Sequence, residues 1–97
     1  MTRRVFRYVV PVDDRSHAIK VGTIRHVAAN RYPTAPGEEP THVVEFWAED
    51  SGSQDAPERH FQVYGTGHEL PGDARWKGTC DRTDDVLVWH LFERWPT

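Results

Sequence analysis

Hydrophobic and polar positions along this chain alternate with a period of two in several short runs, and no segment holds a helical period over ten residues. From Val5 to Val12, the residues Phe6, Tyr8, Val10 and Val12 share one face, while Val5, Arg7, Val9 and Pro11 share the other. Successive side chains of a strand point to opposite faces, so this alternation, rich in β-branched and aromatic residues, predicts a half-buried strand. Asp13 to Ser16 offers short polar side chains that bond to nearby backbone, which predicts a turn. His17 to Val21 then predicts a brief strand that pairs back on the first as a hairpin. Thr23 to Ala29 fits a third strand, although Ile24, Val27 and Ala28 suit helical spacing equally well. Asn30 to Thr41 contains Pro33, Pro36, Gly37 and Pro40, and predicts a loop, because proline removes ladder donors and fixes φ.

Further strands are predicted over His42–Asp50, Arg59–Thr66 and Trp76–Thr79, separated by polar loops that include Ser51–Pro57 and Gly65–Asp73. In the last predicted strand, Val86 to Arg94, Leu87, Trp89 and Leu91 lie opposite Val88 and Phe92. Apolar residues on both faces suit a strand covered on each side. The sum is an all-β fold, or α+β if residues 23–29 make one short helix: a small antiparallel barrel or sandwich of six to seven short strands. Residues 1–97 read as a single domain with loops at 33–41 and 51–58.

Composition narrows the classes. No run of about 18 apolar residues exists, so no membrane-spanning helix is expected. The basic start is followed by no continuous apolar stretch of the sort a signal peptide needs, and Cys80 is the single cysteine, so a cytoplasmic location is expected. The chain carries 12 basic and 15 acidic residues, net charge -3, with the basic ones scattered. Nucleic-acid binding needs a concentrated positive face, so none is expected.

Candidate chemistry is sparse. The turn Gly65-Thr66-Gly67-His68-Glu69-Leu70-Pro71 follows a predicted strand, and its glycines permit positive φ and close backbone approach, the requirements of an anion-binding amide nest. His68 and Glu69 would add a titratable pair. The plainer reading is a tight turn whose glycines serve backbone geometry; the spacing is not that of a phosphate loop. No two of the six histidines fall within seven residues of one another, so no zinc motif is announced, and neither metal nor cofactor is expected. No serine or cysteine occupies a nucleophile elbow. Trp47 shares its predicted face with Glu45 and Glu49, and Trp95 lies near the end. A tryptophan among charges is either a protein-contact anchor or a residue packed beneath the proline-rich loop.

At Tyr64-Gly65-Thr66-Gly67-His68-Glu69-Leu70-Pro71 and Leu87-Val88-Trp89-His90-Leu91-Phe92-Glu93, the chain resembles a family of short uncharacterised proteins of bacteriophages and prophages. Phe6-Arg7-Tyr8, Ala18-Ile19-Lys20-Val21 and Trp47-Ala48 extend the resemblance along the chain. The proline-rich stretch at 33–40 and the Arg94-Trp95-Pro96-Thr97 tail depart from the pattern. The resemblance implies a phage-encoded accessory protein and singles out His68 and His90 among the histidines. It carries no activity with it.

Three functions are therefore in play. The first is a non-enzymatic accessory protein that binds a host protein, by analogy an inhibitor of a host or defence enzyme, through Trp47, Glu45, Glu49 and Trp95. The second is a binder of a nucleotide or other small phosphate ligand through Gly65, Thr66, Gly67, His68, Glu69 and His90. The third is a hydrolase with His68 or His90 as base. Exposed strand edges would also permit a homodimer.

Overall fold

The computed structural model describes residues 4–32, 36–37, 41–50, 57–83 and 86–95. The chain is all-β, with seven strands in two antiparallel sheets and no helix among the described residues. The strands are β1 (Arg4–Pro11), β2 (His17–Lys20), β3 (Thr23–Tyr32), β4 (Thr41–Asp50), β5 (Glu58–Gly65), β6 (Arg75–Thr79) and β7 (Trp89–Arg94). Sheet A runs β1-β4-β3 and sheet B runs β2-β5-β7-β6. The two face each other as an open sandwich, with β1 against β5 and β3 against β6. No helix of the described residues is long and apolar enough to cross a membrane.

Alternation decides which face of each strand is buried. The register pairs Tyr8 with Phe46, Phe46 with Val27, and Val10 with Val44. These residues point inward to meet Phe61, Val63 and Leu91 of sheet B. Phe46 stands at the centre, its ring centroid 5.2 Å from both Tyr8 and Phe61. A sheet needs an apolar partner layer to hide its apolar face, and here each sheet supplies the other's.

Three expectations change, and the open choice at residues 23–29 is settled as strand. β2 does not form a hairpin with β1; it pairs with β5, because the turn at 12–16 carries the chain from one sheet to the other. Residues 23–29 are strand, not helix. A β-bulge between Ile24 and His26 puts both Ile24 and Val27 on the inner face, opposite Ala48 and Phe46, and so mimics the three-residue spacing of a helix turn. The proline-rich loop is shorter than expected, since Asn30–Tyr32 extend β3 and Thr41 opens β4, just as Glu58 opens β5. Residues 33–35, 38–40 and 51–56 of the expected loops lie outside the described residues. Finally, Val86–Val88 precede β7 instead of beginning it, and Val86 adopts a φ of 63°. A β-branched residue in that region cannot continue a strand.

A second bulge, between Trp76 and Gly78, lies on β6. A Cβ at Gly78 would sit 2.4 Å from Val27 Cγ2, so only glycine lets the two sheets approach so closely there.

Candidate functional site

The turn after β5 is built as the sequence suggests and fastened twice. Its backbone closes through a hydrogen bond from His68 N to the Gly65 carbonyl at 3.2 Å, with Gly67 at a φ of 91°. The Gly65 N–H also donates to His68 Nδ1 at 3.2 Å. A Cβ at Gly65 would stand 3.1 Å from His68 Cε1 and 3.3 Å from Trp89 Cζ3, so the imidazole lies close over the glycine beside the indole. Thr66 Oγ1 reaches His90 Nε2 at 2.8 Å, while His90 Nδ1 meets Thr79 Oγ1 at 3.0 Å. Trp76 Nε1 donates to the same Thr79 hydroxyl at 2.9 Å. His90 thereby ties the turn to β6.

His68 and His90 do not share a cavity. Gly65 pairs with Trp89, and His90 is the next residue along β7, so its side chain emerges on the opposite face of sheet B. His68 lines a cleft with Gly65, Thr66, Arg82, Leu87 and Trp89, whereas His90 and Glu69 do not. Arg82 carries no motif, and sequence reasoning did not single it out; its one signal was its place in the polar turn before the last strand. Leu87 opened the closing motif, but was read as a strand residue and not as the lining of a cleft.

The protein-contact candidates also separate. Glu45, Trp47 and Glu49 stand on the outer face of sheet A, while Trp95 belongs to the far end of sheet B, where its N–H donates to Asp73. The glutamates are not the groups that this face presents. Glu45 lies under Arg7 at 3.1 Å and accepts from Asn30 Nδ2 at 2.8 Å; Glu49 accepts from Arg25 Nε at 3.0 Å. The two guanidinium side chains are 57% exposed, against 7% for Glu45 and 23% for Glu49. Between them stands Trp47, stacked obliquely on His26, with Val5 and Val9 of β1 exposed beside it. No described strand covers this face. The outer face of sheet B, in contrast, is capped by the chain itself: Asp73 pairs with Arg94, which also donates to Gln62 Oε1 and Tyr64 Oη.

At the sandwich end opposite the turn, Glu93 is 3% exposed yet ionic. Arg59 binds it through two parallel hydrogen bonds of 3.0 and 2.8 Å, and Lys77 Nζ approaches to 3.4 Å. Burial alone would raise the Glu93 carboxyl, but the Arg59 guanidinium, with Lys77, holds it below the usual carboxylate range. This cluster was missed by sequence reasoning, although Glu93 shares the inward parity of Trp89 and Leu91.

Among the described residues no group of three or more His, Cys, Asp and Glu could hold a metal ion. Cys80 is buried, and burial, with Asp81 nearby, pushes its thiol up to about 11. Native protein should therefore react with iodoacetamide at pH 8 roughly 100-fold more slowly than a free thiol, since only the thiolate attacks. Full reactivity should return in guanidinium. Rapid alkylation of the folded chain would show Cys80 to be accessible.

The fold and its surfaces define a small two-sheet β-sandwich with one self-capped face, one face that no described strand covers and a histidine-fastened turn. The chain belongs to the family described as Domain of unknown function (DUF7352), which matches over residues 1–97. No curated protein and no solved structure matches it.

Proposed function

We propose that the chain is a non-catalytic binding protein that docks on an acidic patch of another protein through the outer face of sheet A. One observation carries this reading: on the outer face of sheet A, exposed Arg7 and Arg25 flank Trp47, with the glutamates beneath them. Arginine and tryptophan dominate the energetic centres of protein interfaces, because both offer large, rigid area and directional donors. A rim of guanidinium groups favours a carboxylate-bearing partner and disfavours a second copy of the same face, which would bring like charges together. The resemblance to short phage proteins supports a host protein as that partner, met in the host cytoplasm, and inhibition of a host or defence enzyme as the outcome.

The test compares baits in host lysate by quantitative mass spectrometry, followed by titration of the purified partner. Trp47→Ala and the Arg7→Gln/Arg25→Gln pair should each weaken one partner at least about tenfold. Trp95→Ala, on the other sheet, should retain it, with all variants melting cooperatively. A partner held equally by Trp47→Ala, or a wild-type dimer that Trp47→Ala dissolves, would overturn the assignment.

A further inference from the structure

A cleft of about 380 Å³ opens between the 65–68 turn and the segment leading into β7. That volume lies in the range of small-molecule sites, about 300–1,000 Å³. We infer that this cleft binds a small phosphate monoester with a planar body, of the size of a mononucleotide. The site lies apart from the outer face of sheet A and is independent of the protein partner proposed for it.

The polar side of the cleft is made of donors. Because Gly65 N–H donates to His68 Nδ1, that nitrogen holds the lone pair, and the neutral imidazole carries its proton on Nε2. The Thr66 hydroxyl accepts from His90 Nε2–H in the tautomer whose Nδ1 accepts from Thr79, which frees the Thr66 O–H to donate. Arg82 is exposed and has no carboxylate partner among the described residues. No carboxylate among them lines the cleft. A guanidinium fork, a hydroxyl and an imidazole N–H, with no acid among these groups, are complementary to an anion. Three separate donors suit the three terminal oxygens of a phosphate monoester better than the two of a carboxylate.

The other side is apolar and held open. Val86 and Leu87 are 66% and 39% exposed, and both line the cleft with Trp89. Strained backbone keeps them there. Val86 sits at a φ of 63°, pinned by Val86 N to the Thr83 carbonyl, Thr83 N to the Leu87 carbonyl, and Leu87 N to Thr83 Oγ1. A β-branched residue in the left-handed region persists only where its surroundings over-determine it, and such positions gather at ligand sites. The strain stops Val86 and Leu87 from extending β7 and leaves them as an apolar wall beside the donors, where a flat ring would lie.

The test titrates isotope-labelled full-length protein with adenosine and uridine 5′-monophosphates, adenosine, benzoate and inorganic phosphate, read by amide and indole shifts. Either monophosphate should move the Gly65–His68 amides and the Trp89 indole and saturate below about 1 mM, with the other three probes at least tenfold weaker. Arg82→Gln should weaken the monophosphate at least tenfold at an unchanged melting temperature, and Trp47→Ala should leave binding intact. Three results would each overturn the inference: no saturable response to either monophosphate at about 10 mM, adenosine or benzoate binding as tightly, or an Arg82→Gln protein that binds as well as wild type.

Discussion

Glu93→Ala should destabilise the protein by about 3 kcal/mol at pH 7. The residue is nearly sealed from solvent, and its carboxylate neutralises Arg59 through two hydrogen bonds and Lys77 through a longer approach. Breaking a buried ion pair from one side costs about 3–5 kcal/mol, because the remaining charge stays desolvated without its partner. The lower end applies here, since Arg59 retains its bond to the Gly22 carbonyl and is 19% exposed. In a domain of this size, each kcal/mol shifts the midpoint by about 4–8 °C, so a drop of at least about 12 °C is expected in calorimetry. The pH dependence has a definite sign. The folded carboxyl is held below its ordinary value of 4.5, so its contribution is complete above that value and is lost as the pH falls through the folded one. The gap between wild type and variant should therefore be full at pH 7 and close progressively below about pH 4. A gap that stays constant down to pH 3, or never exceeds a few degrees, would mean that the cluster stabilises nothing by charge.

Phe46→Ala should cost about 3–5 kcal/mol, the range for removing a buried aromatic ring. Phe46 is fully buried and is the one described residue whose ring lies against a partner ring in each sheet, Tyr8 in sheet A and Phe61 in sheet B. Truncation removes the transfer energy of the ring and leaves a cavity that two hydrogen-bonded sheets cannot easily close. Since small domains are stable by only about 5–15 kcal/mol, this change consumes a large share. Urea denaturation should show the midpoint falling with little change in slope, because the unfolded surface is nearly the same. Phe46→Leu, which keeps most of the volume, should lose less than half as much. If alanine proved as mild as leucine, the rings would not be what joins the sheets.

The strands were legible because their signal is local. Period-two alternation at Phe6-Arg7-Tyr8-Val9-Val10 and at Val44-Glu45-Phe46-Trp47-Ala48 states which residues go inside, and the register carries it out. Residues 23–29 were ambiguous for a physical reason: the bulge after Ile24 inserts one residue, and one extra residue turns an alternating pattern into a helical one. The assumed β1–β2 hairpin failed because sequence neighbours need not pair; the choice of sheet depends on which apolar face a strand can cover.

The site was legible only in part. Glycines at 65 and 67 announced a turn by their backbone freedom, and His68 and His90 were named from their motifs. That they lie on opposite faces follows from the pairing of Gly65 with Trp89, which is a property of the assembled sheet. Likewise, Glu45 and Glu49 looked like the charges of an interface. Only the cross-strand placement of Arg7 on β1 and Arg25 on β3 buries them beneath guanidinium groups and changes the sign that a partner would meet. The sequence by itself determined the strand class, the inward residues and the turn, because alternation and glycine act within a few residues. Tertiary structure alone decided the sheet order, the pairing of Glu93 with Arg59, and the meeting of Arg82 with the turn, because these join positions distant in sequence that no local pattern connects.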